Sequence, residues 1–146
     1  MAGRVLERAH ALGLVAHGLS FHVGSEQPNP RMWDRALKVS AAIFRDLAER
    51  GVQLAMINLG GGFPARYTKD VPGVRTYGQT IFRALRRHFG NRIPETIIEP
   101  GRGMVGNAGI IEAEVVLISR KSDEEKQRWV YLDIGKFNGS RRRWTK

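Results

Sequence analysis

Cysteine is absent from all 146 residues, which removes a disulfide framework, a thiolate metal site and a cysteine nucleophile from consideration. No apolar run approaches the roughly 18 to 20 residues of a membrane span, and the N-terminus lacks a signal-peptide pattern, so the chain reads as cytoplasmic with no membrane partner. Acidic residues are scarce beside basic ones, 14 against 24, leaving a formal charge of +10. Such an excess normally points to nucleic acid, because clustered Lys and Arg attract phosphate backbones. The distribution argues otherwise: Arg141, Arg142, Arg143 and Lys146 form one tail run, and most other basic residues are dispersed over helical stretches as a solvated face. No nucleic-acid partner is therefore expected. The four histidines, His10, His17, His22 and His88, show no ligand spacing, so no metal site is expected either.

What is present is an alternation of helical and strand-like segments. Val5, Leu6, Ala9 and Leu12 recur at helical spacing before Gly13, and Leu19, Phe21 and Val23 alternate like a strand that ends at Gly24-Ser25. Asn29 and Pro30 suit the start of a second helix, whose stripe is Trp33, Leu37, Ala41, Phe44 and Ala48. Leu54, Met56 and Ile57 predict a buried strand, and residues 64–78 read as irregular. Ile81, Phe82, Leu85 and Phe89 predict a third helix closed by Gly90, and Thr96-Ile97-Ile98 a third strand. Strands alternating with helices imply parallel pairing and an α/β sheet or barrel. After Gly106 the pattern changes: Ile110 to Ser119 and Trp129 to Ile134 are β-rich runs without a helix between them, joined by a polar turn.

Each of the three α/β strands runs into a turn with chemical potential: Phe21-His22-Val23-Gly24-Ser25, Asn58-Leu59-Gly60-Gly61-Gly62-Phe63-Pro64 and Ile98-Glu99-Pro100-Gly101-Arg102-Gly103. In parallel α/β barrels the strands' carboxyl ends carry the active site. Three glycines after a buried strand let the backbone approach an anion and turn several N–H groups toward it, although glycines also serve tight turns. Arg102 offers a guanidinium for phosphate or carboxylate, and Ser25 a hydroxyl donor. Glu99 at a strand end needs a partner: either an ion pair with Arg102 or a protonated ring nitrogen. His22 is either structural or laid flat against a cofactor ring.

At these residues the chain resembles the fold-type III pyridoxal-phosphate decarboxylases that act on ornithine, lysine, arginine or diaminopimelate, from roughly Arg4 to Gly139. The resemblance implies a partial (β/α)8 TIM barrel of the alanine racemase-like type over residues 1–106, its last strands and helices, followed by the start of a β-rich C-terminal domain over 107–139. It implies pyridoxal 5'-phosphate as cofactor. His22 would stack on the pyridine ring, Ser25 with Gly60, Gly61 and Gly62 would hold the phosphate, Gly101 and Arg102 would add phosphate contacts, and Glu99 would pair with the pyridinium nitrogen. His22 and Glu99 are then the candidate catalytic residues, since a carboxylate that keeps the ring protonated maintains its capacity to accept electrons. Asp133 lies in the region that reads the distal amine of the substrate.

The details Phe21-His22-Val23-Gly24-Ser25-Glu26-Gln27, Gly62-Phe63-Pro64-Ala65 and Tyr131-Leu132-Asp133-Ile134-Gly135 are most similar to ornithine or lysine decarboxylases. The implied reaction is ornithine to putrescine and carbon dioxide, a step of polyamine biosynthesis, with a homodimer expected for a full-length member. Alternatives are a lysine or diaminopimelate decarboxylase, a catalytically inactive decarboxylase-like binding protein, or another phosphate-binding barrel such as a racemase or sugar-phosphate enzyme. The family's Schiff-base lysine belongs to the first barrel strand. No Lys here matches it, and Lys38 reads as exposed on the second helix. A complete barrel has eight strands and about 250 residues, so the expectation is a fragment that is inactive alone. Relatives continue after Phe137-Asn138-Gly139 with Leu-Ala-Glu-Thr-Met-Asp-Glu. Codons for Ser140 to Lys146 exist that spell this sequence in the neighbouring frame, so residues 140–146 are read as a frameshifted tail.

Overall fold

The computed structural model describes residues 1–135, which form two compact units, Met1–Ala108 and the residues from Gly109 onward. In the first unit, helix α1 (Ala2–Ala11) leads to strand β1 (Gly18–Ser20), helix α2 (Arg31–Glu49), strand β2 (Met56–Asn58), helix α3 (Val74–Phe89), strand β3 (Glu95–Ile97) and a one-turn helix α4 (Arg102–Val105). The strands form a parallel sheet in the order β1-β2-β3, with Leu19, Ile57 and Thr96 aligned across it. Parallel neighbours require crossover connections, which α2 and α3 supply.

The expected periodicities explain most of these elements. Gly13, at φ 78°, follows α1, whose last turn carries Arg8 and His10 where positive charge suits the helix dipole. The Asn29 side-chain oxygen accepts the Arg31 N–H at 3.1 Å and Pro30 occupies the α2 N-cap. Helix α2 buries Trp33, Leu37, Ser40, Ala41 and Leu47, so its stripe ends at Leu47 rather than Ala48. Helix α3 starts at Val74, inside the stretch that reads as irregular, because Tyr77 continues the 3–4 spacing of Ile81, Ala84 and Leu85. Phe82, expected in that stripe, is 64% exposed. Gly90, at φ 62°, closes the helix by donating its N–H to the Arg86 carbonyl at 2.9 Å. The strands are shorter than their alternation predicts; past Ser20 the chain leaves the ladder after one more bond, from the Phe21 N–H to the Asn58 carbonyl at 3.1 Å.

The core lies between the sheet and helices α2 and α3, and consists of Trp33, Leu37, Ile57, Leu59, Tyr77, Ile81, Ala84 and Leu85 with five partly buried aromatic and aliphatic neighbours. Trp33 is its hub. Its ring centroid stands 4.8 Å from Phe63 and 5.5 Å from Tyr77, and its indole N–H donates to the Leu59 carbonyl at 3.2 Å, so a buried donor is satisfied. The Tyr77 hydroxyl donates to the Gln27 carbonyl at 2.8 Å, and burial pushes that phenol's pKa above its ordinary value. Asp34 in the first turn of α2 accepts from His88 at 2.8 Å and Arg87 at 3.1 Å in the last turn of α3, tying the two helices together. A smaller cluster of Ala16, Leu47 and Val52 seats α1 through Leu6. Arg50 joins α1 to α2 by contacts to Glu7 at 3.2 Å and Asp46 at 2.9 Å, which push the guanidinium's pKa above its ordinary value.

The second unit contains an antiparallel pair, β4 (Val115–Ser119) and β5 (Trp129–Leu132), with an irregularity between Val115 and Leu117. The β-rich run expected from Ile110 enters the strand ladder at Val115, opposite the end of the four-residue β5, with one further backbone bond from the Asp133 N–H to the Glu114 carbonyl. Lys121 lies 4.3 Å over the Trp129 ring. Residues 136–139 and the tail expected to be frameshifted lie outside the described residues.

Leu37 is fully buried at the helix–sheet junction. Leu37→Ala is expected to lower the unfolding free energy by about 2 to 5 kcal/mol, measured as a lower urea midpoint in far-UV circular dichroism; an unchanged midpoint would remove Leu37 from the core.

Candidate functional site

All three chemically rich turns emerge at the carboxyl ends of adjacent strands β1, β2 and β3. They enclose a cavity of about 200 Å³ lined by His22, Ser25, Glu26, Gly61, Gly62, Phe63, Glu99, Pro100 and Arg102. The sequence-predicted residues His22, Ser25, Gly61, Gly62, Glu99 and Arg102 thus meet at one place. Gly60 and Gly101 flank the cavity without lining it. Asp133 belongs to the second unit, where its carboxylate accepts the Glu114 N–H at 2.9 Å and its own N–H donates to the Glu114 carbonyl at 3.1 Å.

The glycine triplet is held by close approach on every side. Gly60 and Gly62 take φ of 62° and 97°, in the left-handed region that side chains rarely adopt. A Cβ at Gly60 would collide with the Phe21 carbonyl, one at Gly62 with the Gly24 carbonyl, and one at Gly61 would stand 2.5 Å from the Glu99 carbonyl oxygen and 3.6 Å from the His22 ring. The backbone of the triplet therefore passes between the other two turns. It is stitched to them by the Gly60 carbonyl, which accepts the Glu99 N–H at 2.9 Å, and the Gly62 carbonyl, which accepts the Gln27 N–H at 2.8 Å. The Gly60 N–H already donates to the Asn58 side chain at 2.9 Å, which leaves Gly61 and Gly62 as the glycines facing the cavity.

The charges are sorted in a way sequence reasoning missed. Arg102 pairs with Glu26 at 3.1 Å, not with Glu99, so the ion-pair reading of Glu99 and Arg102 is replaced. Glu26 holds φ 51°, a conformation uncommon outside glycine, at the end of the β1 turn. Glu99 instead accepts the side-chain N–H of Asn58 at 2.6 Å. Glu26 and Asn58 both stand within the motifs that marked the site; for Asn58, which closes β2, the available signal was that a polar residue ending a buried strand must find a partner, whereas Glu26 lies beyond the end of β1. No lysine lines the cavity among the described residues, and Lys38 is exposed on α2. Among the described residues no group of three His, Asp or Glu side chains is gathered to hold a metal ion, and no helix is long and apolar enough to cross a membrane.

This arrangement can be compared with known proteins. Residues 2–106 match the family described as pyridoxal-dependent decarboxylase, pyridoxal binding domain. The chain belongs to that family. Pyridoxal phosphate is accordingly its cofactor, and the family's enzymes are carboxy-lyases. The chain is 31% identical over 133 residues to a lysine/ornithine decarboxylase of Selenomonas ruminantium, covering 90% of this chain and 32% of that protein. It is 32% identical over 128 residues to a diaminopimelate decarboxylase of Staphylococcus aureus, covering 84% and 29%. Its fold superposes on the crystal structure of a lysine/ornithine decarboxylase of Vibrio vulnificus complexed with putrescine, with a TM-score of 0.70, 30% identity and coverage of 93% of this chain and 36% of that one. The chain therefore spans about a third of the length of the relatives it matches.

The residues present fit the cofactor on the structure's own terms: a cradle that a Cβ would fill, an imidazole beside it, a guanidinium, and a carboxylate held by a neutral amide. Gly61→Ala is expected to weaken binding of pyridoxal phosphate about 5- to 150-fold, since relieving the clash with backbone costs on the order of 1 to 3 kcal/mol. Gly73→Ala, with open space around it and φ of −67°, should leave binding unchanged. Equilibrium dialysis of both variants checks this, and equal affinities would show that the close approach is dispensable.

Proposed function

We propose that this chain carries one wall of the cofactor site of a basic amino acid decarboxylase, with ornithine as substrate and putrescine and carbon dioxide as products. The observation that carries the reading is the convergence of His22, Gly61, Gly62, Glu99 and Arg102 on one small cavity at the strand ends. The wording of its motifs favours ornithine or lysine over diaminopimelate, and the relatives span all three substrates.

In this reading the Gly61 and Gly62 backbone with Ser25 binds the phosphate, and Arg102 contributes charge from the start of α4 while Glu26 orients its guanidinium. Gly60 and Gly101 contribute by shaping the turns. The His22 imidazole, which packs beside Gly61, covers one face of the ring and excludes water from it. Glu99 holds a proton at the ring nitrogen. When bound, the cofactor supplies an electron sink for the pair left behind as carbon dioxide departs. Asp133 is assigned to the substrate's distal amine by its motif alone. The wider architecture is a partial (β/α)8 barrel of the alanine racemase-like type over residues 1–106, with a β-rich domain beginning at 107 and a homodimer as the full assembly. Support comes from three parallel strands with helices on one face, a β1 edge that is unpaired among the described residues, and an apolar groove of about 420 Å³ beside it, lined by Leu19, Phe21, Val23, Met32 and Val39.

The chain is expected to bind pyridoxal phosphate saturably, with Glu99→Gln weakening the complex about tenfold through loss of a charge-assisted contact. It should release no carbon dioxide from ornithine, lysine or diaminopimelate, because among the described residues no lysine lines the cavity. Absorbance titration and trapping of labelled carbon dioxide read the two outcomes. Absence of a saturable complex, or unaided decarboxylation, would overturn the reading.

A further inference from the structure

A second layer of the site is set by Asn58, the last residue of β2. Its backbone is pinned on both sides, in register with Ser20 of β1 and Ile97 of β3. Its side chain is pinned at both polar atoms: Oδ1 accepts the Gly60 N–H at 2.9 Å, and Nδ2 donates to Glu99 Oε1 at 2.6 Å. The amide can take only this orientation, since the Gly60 N–H can only donate and an ionised Glu99 can only accept. The contact is therefore directional. It is also neutral, and this is the point of using an amide. Arg102, the nearby cation that would cancel the Glu99 charge, is engaged by Glu26 at 3.1 Å. Glu99 is thus fixed in place while its negative charge stays available to a cationic partner.

We propose that Asn58 is the positioning residue that aims Glu99 at the ring nitrogen and locks that aim to the glycine cradle, so that phosphate and ring are gripped as one unit. The proposal rests on the reading that Glu99 faces the ring nitrogen. Asn58 does not line the cavity; it acts through Glu99 and Gly60.

The test compares dissociation constants for pyridoxal phosphate and for its 1-deaza analogue, in which a C–H replaces the ring nitrogen, using the full chain. The ratio of the two isolates the contact at the ring nitrogen, whereas a merely structural role for Asn58 would weaken both ligands alike and leave the ratio unmoved. The wild-type chain should prefer pyridoxal phosphate about tenfold, as expected for one charge-assisted hydrogen bond, and Glu99→Gln should erase the preference. Asn58→Ala, which removes both contacts, should cut the preference to about twofold or less. Asn58→Ser keeps an oxygen able to accept the Gly60 N–H but is too short to reach Glu99. It should retain the fold, judged by far-UV circular dichroism, and lose the preference as Asn58→Ala does. A wild-type preference that survives in Asn58→Ser would overturn the positioning role and leave the assignment of Glu99 standing. A wild-type chain with no preference, or one unaffected by Glu99→Gln, would overturn both.

Discussion

The close passage of the Gly60–Gly62 backbone between two neighbouring turns governs how this site is assembled. Three carbonyls, of Phe21, Gly24 and Glu99, approach so near that any side chain at the facing glycine would meet backbone. Backbone cannot swing aside as a flexible side chain can, so the spacing of the three turns is set by main-chain contact and hydrogen bonds. That spacing determines where His22, Glu99 and Arg102 stand. It also separates two demands on the glycines. Gly60 is committed to the structure through its N–H and its carbonyl, while Gly61 and Gly62 present the cavity wall.

The electrostatics follow from the same geometry. Two carboxylates and one guanidinium share a cavity of about 200 Å³, and opposite pairing would have given a different site. If Arg102 held Glu99, a cationic ring would find its counter-charge already spent. With Glu26 on Arg102 and Asn58 on Glu99, the cation is oriented and the second carboxylate remains charged. Attaching Glu26 to a left-handed backbone position stores strain on the order of 1 to 3 kcal/mol, of the kind kept where a side chain must be aimed.

Much of this was legible from residue pattern. The Asn29-Pro30 helix start, the Trp33-Leu37-Ala41 stripe, Gly90 as a helix stop and the strand-to-turn motifs all correspond to what local stereochemistry demands of those residue types. Position at the strand ends then brought His22, Ser25, Gly61, Gly62, Glu99 and Arg102 together. What escaped was decided by tertiary contact. Helix α3 begins at Val74 because Tyr77 is buried against Trp33, a contact between residues far apart in the chain. Phe82 is exposed, one turn position away from the buried Ile81, because helical spacing alone cannot say where an apolar stripe ends. Glu26 and Asn58 were visible but roleless, since pairing across turns depends on loop conformation that composition does not encode. Helix α4 is one turn long and has no periodicity to detect.

The site is also wired into the core that supports it. Trp33 donates to the carbonyl of Leu59, the residue immediately before the glycine triplet, and Tyr77 donates to the carbonyl of Gln27, the residue after Glu26. Two aromatic side chains from the two long helices thus hold the roots of two of the three turns, and both meet Phe63, which lines the cavity itself, Trp33 in a tilted contact and Tyr77 edge-on. Core packing is dense and transmits displacement, so a change at Trp33 or Tyr77 is felt at the turns without touching a ligand. The converse holds by linkage: a molecule at free concentration c that binds only the assembled turns stabilises the helix–sheet core by RT ln(1 + c/Kd), and so by more the tighter it binds at a given concentration. Cofactor affinity and the stability of the first unit are therefore two measurements of one set of contacts.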